Sequence, residues 1–386
     1  METVKLMAPS GPGAPKCGAN LTLAGAAPGG YNANHHCAPA MAGGPQAQGR
    51  TDPMDITPTA QEKARLQEVW QDQTPSQAAP LDLTRPALCR GSRPAAEPQV
   101  AQALADLLGW PQWVRLYAKP SLAVVAASRL ARSRGMAGGV LWAAPGTGRP
   151  FDPPSGDPGL VMLRCDWAPD AQSVAQAQHV ARAQGLMLVL DESCTGLRLG
   201  PGGAAQYYGL GPDLALYGPP LAGGRDFAAL VGLGEAPPQP GKPPSDEALA
   251  AAAATLEAVA QPAWRQRIED WGRALILGLN YFAARCGLDE QIAWEGPPVL
   301  PRLKGKRLWA FIELAREEGL LLEPLVLLDP EQDPSQAPQR LWSRLCRACQ
   351  RLKVLPQGEK APAGWAEAHG AGKCATLEEA WRAIES

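Results

Sequence analysis

The densest concentration of chemistry-capable side chains lies in residues 186–224, LMLVLDESCTGLRLGPGGAAQYYGLGPDLALYGPPLAGG. A short apolar run, Leu186 to Leu190, ends in the acidic pair Asp191-Glu192. A buried parallel strand has this form, and it delivers a carboxylate to a site at its carboxyl end. A Gly-rich turn follows, then a second short strand from Asp213 to Tyr217, then Gly218-Pro219-Pro220. Elsewhere the signals are weaker. His35-His36-Cys37 with Cys17 are metal-ligand types, but their spacing matches no zinc template and no metal is expected. Cys346 and Cys349 form a CxxC within apolar periodicity. Residues three apart share a helix face, so core packing is the expected role rather than redox work. The loose glycines of 11–18 and 138–148 form neither a phosphate loop nor a dinucleotide fingerprint. No GxSxG elbow supports a Ser-His-Asp triad among the four His.

The 186–224 stretch resembles the fold type I enzymes that use pyridoxal phosphate (PLP). It is similar above all to the class III aminotransferases, and among them to glutamate-1-semialdehyde aminomutase. Their signature runs FDE-x-x-TGFR, then YYG-x-x-PDL, then LGK-x-x-GGG. Asp191, Glu192, Thr195, Gly196, Arg198, Tyr207, Tyr208, Gly209, Pro212, Asp213, Leu214, Gly218, Gly223 and Gly224 stand at matching positions. The resemblance implies four needs: an aldimine lysine, a carboxylate for the pyridinium nitrogen, a phosphate-holding helix start, and a residue from a neighbouring subunit. Asp191 supplies the carboxylate. Pro219 stands in place of the Schiff-base lysine, and proline has no free amine. No Lys occurs between Lys119 and Lys242. The phosphate helix start reads VRLYAKPSLA from Val114, so Lys119, Pro120 and Ser121 replace Ser, Gly and Thr. Pro120 removes one N–H from that cup. Lys119 attracts phosphate by charge or is simply solvated. The neighbouring-subunit Thr falls at Gly241, beside Lys242, and the aromatic ring-stacker falls in a stretch this chain has shortened. Trp142 reads as a stacker or as a core residue after a strand. Asp191, Ser121 and Lys119 are thus the vestigial cofactor-binding set, and no residue is assigned as catalytic.

Elements must position these residues. Residues 52–59, DPMDITPT, offer an N-cap for a helix over 60–73. Residues 99–109 have helical spacing and end in Gly109. The pattern predicts a strand at 113–117, a helix at 122–134 capped by Ser121 and stopped by Gly135, and strands at 139–143 and 160–165. A helix over 171–184 leads into the strand before Asp191. Helices follow at 246–259, 262–286, 308–319 and 339–353, with a strand-like 320–328, a Pro-rich loop at 330–338 and a last helix at 376–384. Alternation with short loops argues an α/β fold, a mostly parallel central sheet flanked by helices. The resemblance adds the PLP-transferase fold type I and a smaller C-terminal α+β domain. The expected organisation is a Gly/Pro/Ala-rich arm at 1–59, a large domain at 60–261, and a connecting helix with the small domain at 262–386.

The chain has 386 residues, 45% of them hydrophobic, and a formal net charge of −2. That balance points to neither nucleic acid nor an anionic membrane. No apolar run is long enough for a transmembrane helix, and the first residues lack a secretory pattern. Nine scattered cysteines read as reduced thiols, so a cytoplasmic location is expected. The losses at the PLP positions lead to three readings. The first is a catalytically degenerate pseudoenzyme, acting as a structural or partner-binding subunit in a homodimer or a heterodimer with an active aminotransferase-like chain. The second is an aminotransferase or aminomutase that binds PLP or its amine form non-covalently. The third is a pocket turned to another phosphorylated small molecule through Lys119 and Asp191.

Overall fold

The computed structural model describes residues 56–72, 80–83, 88–89, 91–136, 139–143, 158–165, 171–183, 185–237, 242–323 and 338–355. In chain order the elements begin α1 (Ala60–Gln71), β1 (Leu81–Asp82), α2 (Glu97–Leu108), β2 (Trp113–Tyr117), α3 (Pro120–Ser133), β3 (Gly139–Ala143), β4 (Pro158–Arg164) and α4 (Ala171–Ala183). There follow β5 (Met187–Glu192), α5 (Gly203–Tyr208), β6 (Leu214–Tyr217), β7 (Ala228–Gly232), α6 (Asp246–Val259) and α7 (Pro262–Cys286). The series closes with β8 (Ala293–Glu295), β9 (Arg302–Lys304), α8 (Leu308–Glu317), β10 (Leu320–Leu321) and α9 (Pro338–Val354). The strand expected over 320–328 is seen as β10, which pairs with β1. The Pro-rich loop before Pro338, the last helix at 376–384 and the N-terminal arm up to residue 55 lie outside the described residues.

The main sheet has six strands in the order β2-β7-β6-β5-β4-β3. Strands β3 to β6 pair in parallel, and β7 runs against both its neighbours. The sheet is therefore mostly parallel, as its α/β alternation implies. Strand alternation divides its side chains between two cores. Met187 and Val189 face α3, together with Leu214, Leu216, Ala228 and Leu230. Leu188 and Leu190 face the opposite side, with Leu104 of α2, Val174 of α4, Ala204 of α5 and Leu249 of α6. Both faces are covered, which explains why β5 is an unbroken apolar run rather than an alternating one.

Local signals set most helix ends. Thr59 caps α1 through a capping box, its hydroxyl accepting from Glu62 N and its own N–H donating to Glu62 Oε2. At α3 the expected cap is corrected. Lys119 is the N-cap, Pro120 opens the helix, and Ser121 sits inside the first turn without capping it. The fixed φ of proline suits the first helical position, so Pro120 outcompetes Ser121 as the start signal.

The 25-residue α7 carries the last third of the chain. Trp342 of α9 donates its indole N–H to Ala274 O of α7 at 2.7 Å. Gly278 faces that indole; a Cβ there would stand 2.4 Å from Trp342 Cδ1. Gly272 lies still closer to backbone, with Pro298 O only 1.8 Å from the position of a Cβ. Cys346 and Cys349 are buried on α9, as the CxxC spacing implied, and burial raises the Cys346 thiol to about 12. Such thiols are inert packing groups. The Gly272→Ala variant is expected to lose about 1–3 kcal/mol of stability through overpacking against Pro298, read as a lower urea midpoint with an unchanged slope.

Candidate functional site

Strand β5 brings the acidic pair to the carboxyl end of the sheet and then separates it. Asp191 is 4% exposed and turns toward the α3 face; Glu192 is fully buried on the other. The register fixes this division. Asp191 stands opposite Leu216 and Glu192 opposite Tyr217 on β6, and parallel neighbours in register share a face. On the other side, Arg164 of β4 is the register partner of Asp191, so a guanidinium-bearing residue flanks the carboxylate on the same face. Asp191 Oδ1 accepts the Ser193 N–H at 3.0 Å. Arg164 was missed in the sequence because cross-strand register is not written in local spacing.

Glu192 serves the scaffold. Its Oε1 accepts the Ala204 N–H at 3.0 Å, tying β5 to α5. Gly203, at φ 62°, allows this approach; a Cβ there would stand 2.5 Å from Glu192 Oε1 and 2.7 Å from the Tyr217 hydroxyl. Burial raises the Glu192 carboxyl to about 8, against the Ala204 N–H and the Tyr217 hydroxyl, with the Asp191 charge adding to the rise. Tyr217 is itself pushed up by burial and by Glu192. Other residues of the same motif also build structure. Asp213 Oδ2 accepts the Leu188 N–H at 2.8 Å and pairs with Arg182 at 3.1 Å. Arg198 is buried and donates to Thr195 O at 3.3 Å.

Pro219 stands one strand from Asp191, two residues past the end of β6. Gly218 brings the two strand ends together, because a Cβ on it would lie 2.3 Å from Ser193 O. Pro219 opens a 3-10 turn, Pro219–Ala222, and its carbonyl accepts the N–H groups of Gly223 and Gly224, the latter at 2.8 Å. Pro220 packs on Gly196, and its carbonyl accepts the Leu88 N–H at 3.3 Å. Leu88 O in turn accepts the Trp264 indole N–H at 3.2 Å, and the Arg93 N–H donates to Ala250 O at 2.9 Å. The turn is thus bracketed by a distant segment, α6 and α7.

The α3 start reaches the same end of the sheet, since β2 runs parallel to β6 through the antiparallel β7. Lys119 is exposed and Ser121 half-buried. Pro120 has no N–H, and the Leu122 N–H closes onto Lys119 O at 3.1 Å. Tyr117, which ends β2, is buried with a hydroxyl that makes no hydrogen bond among the described residues; burial pushes it up to about 12, with Arg115 opposing. The Lys242 carbonyl accepts the Ala118 N–H at 3.2 Å, so Lys242 does lie beside the α3 start. Gly241 falls outside the described residues, as do His35, His36, Cys17 and Cys37; Trp142 is described only as backbone of β3. No group of three or more His, Cys, Asp or Glu among the described residues is arranged for a metal, and none of the described helices is long and apolar enough to cross a membrane.

Comparison with solved structures places this architecture. A transaminase solved with PLP bound superposes with a TM-score of 0.55 at 17% identity, over 76% of this chain and 84% of that one. N-acetylornithine aminotransferase from Stenotrophomonas maltophilia gives 0.54 at 18% identity, over 77% and 87%. The fold is that of the PLP-dependent transferases of fold type I. In sequence the chain is similar to glutamate-1-semialdehyde 2,1-aminomutase: 35% identical to that of Thermus thermophilus over 156 residues, covering 37% of this chain and 34% of that protein. The aminomutase of Roseiflexus castenholzii is 30% identical over 200 residues, 45% of this chain and 44% of its own length. The chain thus spans less than half the length of these relatives. No family model matches it.

The residues present do not fit covalently held PLP. The position after β6 offers a proline ring and no amine. At the α3 start one amide is absent and another is already bonded within the chain, which depletes the donors a phosphate group would need.

The buried Glu192 yields a pH test. A carboxyl whose pKa is raised from 4.5 unfolded to about 8 folded favours the native state while protonated. That contribution is fully present below pH 4.5 and is lost as pH rises toward 8. Stability is expected to fall across this window by up to about 1.4 kcal/mol per pH unit. The Glu192→Gln variant, neutral throughout, removes this component of the slope in urea melts at successive pH values.

Proposed function

We propose that this chain is an aminotransferase-fold protein without aldimine chemistry, serving as a structural or partner-binding subunit. The observation that carries the reading is Pro219, seated at the strand end beside Asp191 in a hydrogen-bonded turn. A nucleophilic nitrogen at that place is what carbonyl capture by this fold requires. The depleted α3 start supports the same reading. So does the use of Glu192, Asp213 and Arg198 as scaffold: these are motif residues whose contacts stabilise the fold independently of any ligand. The partner proposed is a second copy of the chain or a lysine-bearing aminotransferase-like chain, and the location proposed is the cytoplasm.

One observation favours a second reading. Asp191 remains buried at the carboxyl end of β5, where a carboxylate would pair with a pyridinium nitrogen. PLP or its amine form would then be held without a covalent link, with Asp191, Ser121 and Lys119 as its contacts.

Titrating purified protein with PLP tests both. The expected result is no aldimine absorbance band and no stoichiometric borohydride-fixed adduct on any lysine of the chain. Saturable PLP binding without the band would shift the assignment to the second reading. A fixed adduct together with measurable transamination would defeat the proposal.

A further inference from the structure

We propose that the outer face of α3 and the adjoining edge strand β2 form a docking strip for an acidic segment of a partner protein. From Trp113 to Gly135 the chain carries Arg115, Lys119, Arg129, Arg132 and Arg134 and no acidic residue. All five side chains are exposed, and Lys242, held beside the α3 start through its carbonyl, adds a sixth exposed cation. Among the described residues none of the six forms an ion pair with a carboxylate. Several other arginines of the molecule, Arg93, Arg182, Arg265, Arg273, Arg316, Arg347 and Arg351, each meet a carboxylate. Arg134 is used locally, donating to Leu233 O at 3.2 Å. Glu235, two residues beyond Leu233, is exposed and makes no ion pair among the described residues.

The strip has the dimensions of a peptide site. Strand β2 lies at an edge of the main sheet. Helix α3 is 14 residues long, about 21 Å at the usual rise per residue. Leu122, Val125, Arg129 and Arg132 recur at i, i+3, i+7 and i+10, so they share one stripe of the helix. Leu122 and Val125 are half-buried, while Ala123, Val124, Ala127 and Leu130 turn inward to the sheet. An apolar foothold continued by cations fits a segment that alternates apolar groups with carboxylates. A nucleic acid fits less well, because a sugar–phosphate backbone offers no apolar group to the half-buried Leu122 and Val125.

This inference does not rest on the proposed loss of aldimine chemistry: the strip uses exposed side chains, and PLP titration reads the sheet end. The test is fluorescence anisotropy with a labelled poly-L-glutamate peptide and the full-length chain. Saturable binding is expected, weakening as salt is raised. The double variant Arg129→Glu/Arg132→Glu is expected to weaken it at least about tenfold. The matched reversal Lys63→Glu/Arg65→Glu on α1 changes the net charge equally and is expected to leave binding within about twofold. Should the first variant fail to fold by circular dichroism, Arg129→Gln/Arg132→Gln makes the same comparison. Undetectable binding, equal loss in both reversals, or tighter binding of a single-stranded oligonucleotide of equal charge would overturn the proposal.

Discussion

Opposite-facing side chains along one buried strand govern the site. At the end of β5, Asp191 turns to the α3 side and Glu192 to the other. One carboxylate is thereby placed where a ligand would meet it, and its neighbour is committed to holding α5. The demands differ in kind. Glu192 is stable in a dry core only because protonation and the Ala204 amide relieve it. The neighbouring Asp191 charge adds to the cost of ionising Glu192. The division across the sheet lets one motif position keep the scaffold while the other is free to change role.

The same economy appears at Gly203 and Gly218. Each is placed so that a methyl group would collide with an oxygen of β5 or the residue just after it. These close approaches bind β5 to α5 and to the turn after β6, and they persist whether or not a lysine follows. A proline at position 219 is therefore compatible with the architecture. That is how a chain with proline at position 219 can superpose on a transaminase at a TM-score of 0.55.

Much of this was legible in the sequence, and the exceptions have physical causes. The apolar runs before Asp191 and Tyr217 announced β5 and β6, and Gly135 and Gly287 end α3 and α7 in left-handed conformation as expected of C-caps. Strand β7 escaped notice because its Ala-Ala-Leu-Val run is short and contains two residues of low strand propensity; tertiary pairing overrode them. Helix α5 was read as a Gly-rich turn, since its stability comes from Glu192 rather than its own composition. At α3, Ser121 looked like a cap, but Pro120 claimed the first helical position. Of the site, Asp191 and Pro219 were visible as residue types. Their relation to Arg164 was not, because only strand register brings them together.

The bracket around Pro220 has a kinetic implication. Leu88 reaches the turn through its main-chain N–H, and Trp264 of α7 holds Leu88 in place through an indole hydrogen bond to its carbonyl, so segments more than forty residues away on either side meet here. Loops of that length must close before those bonds can form, which places this corner among contacts of high sequence separation. The geometry of the sheet's carboxyl end is then a late product of assembly.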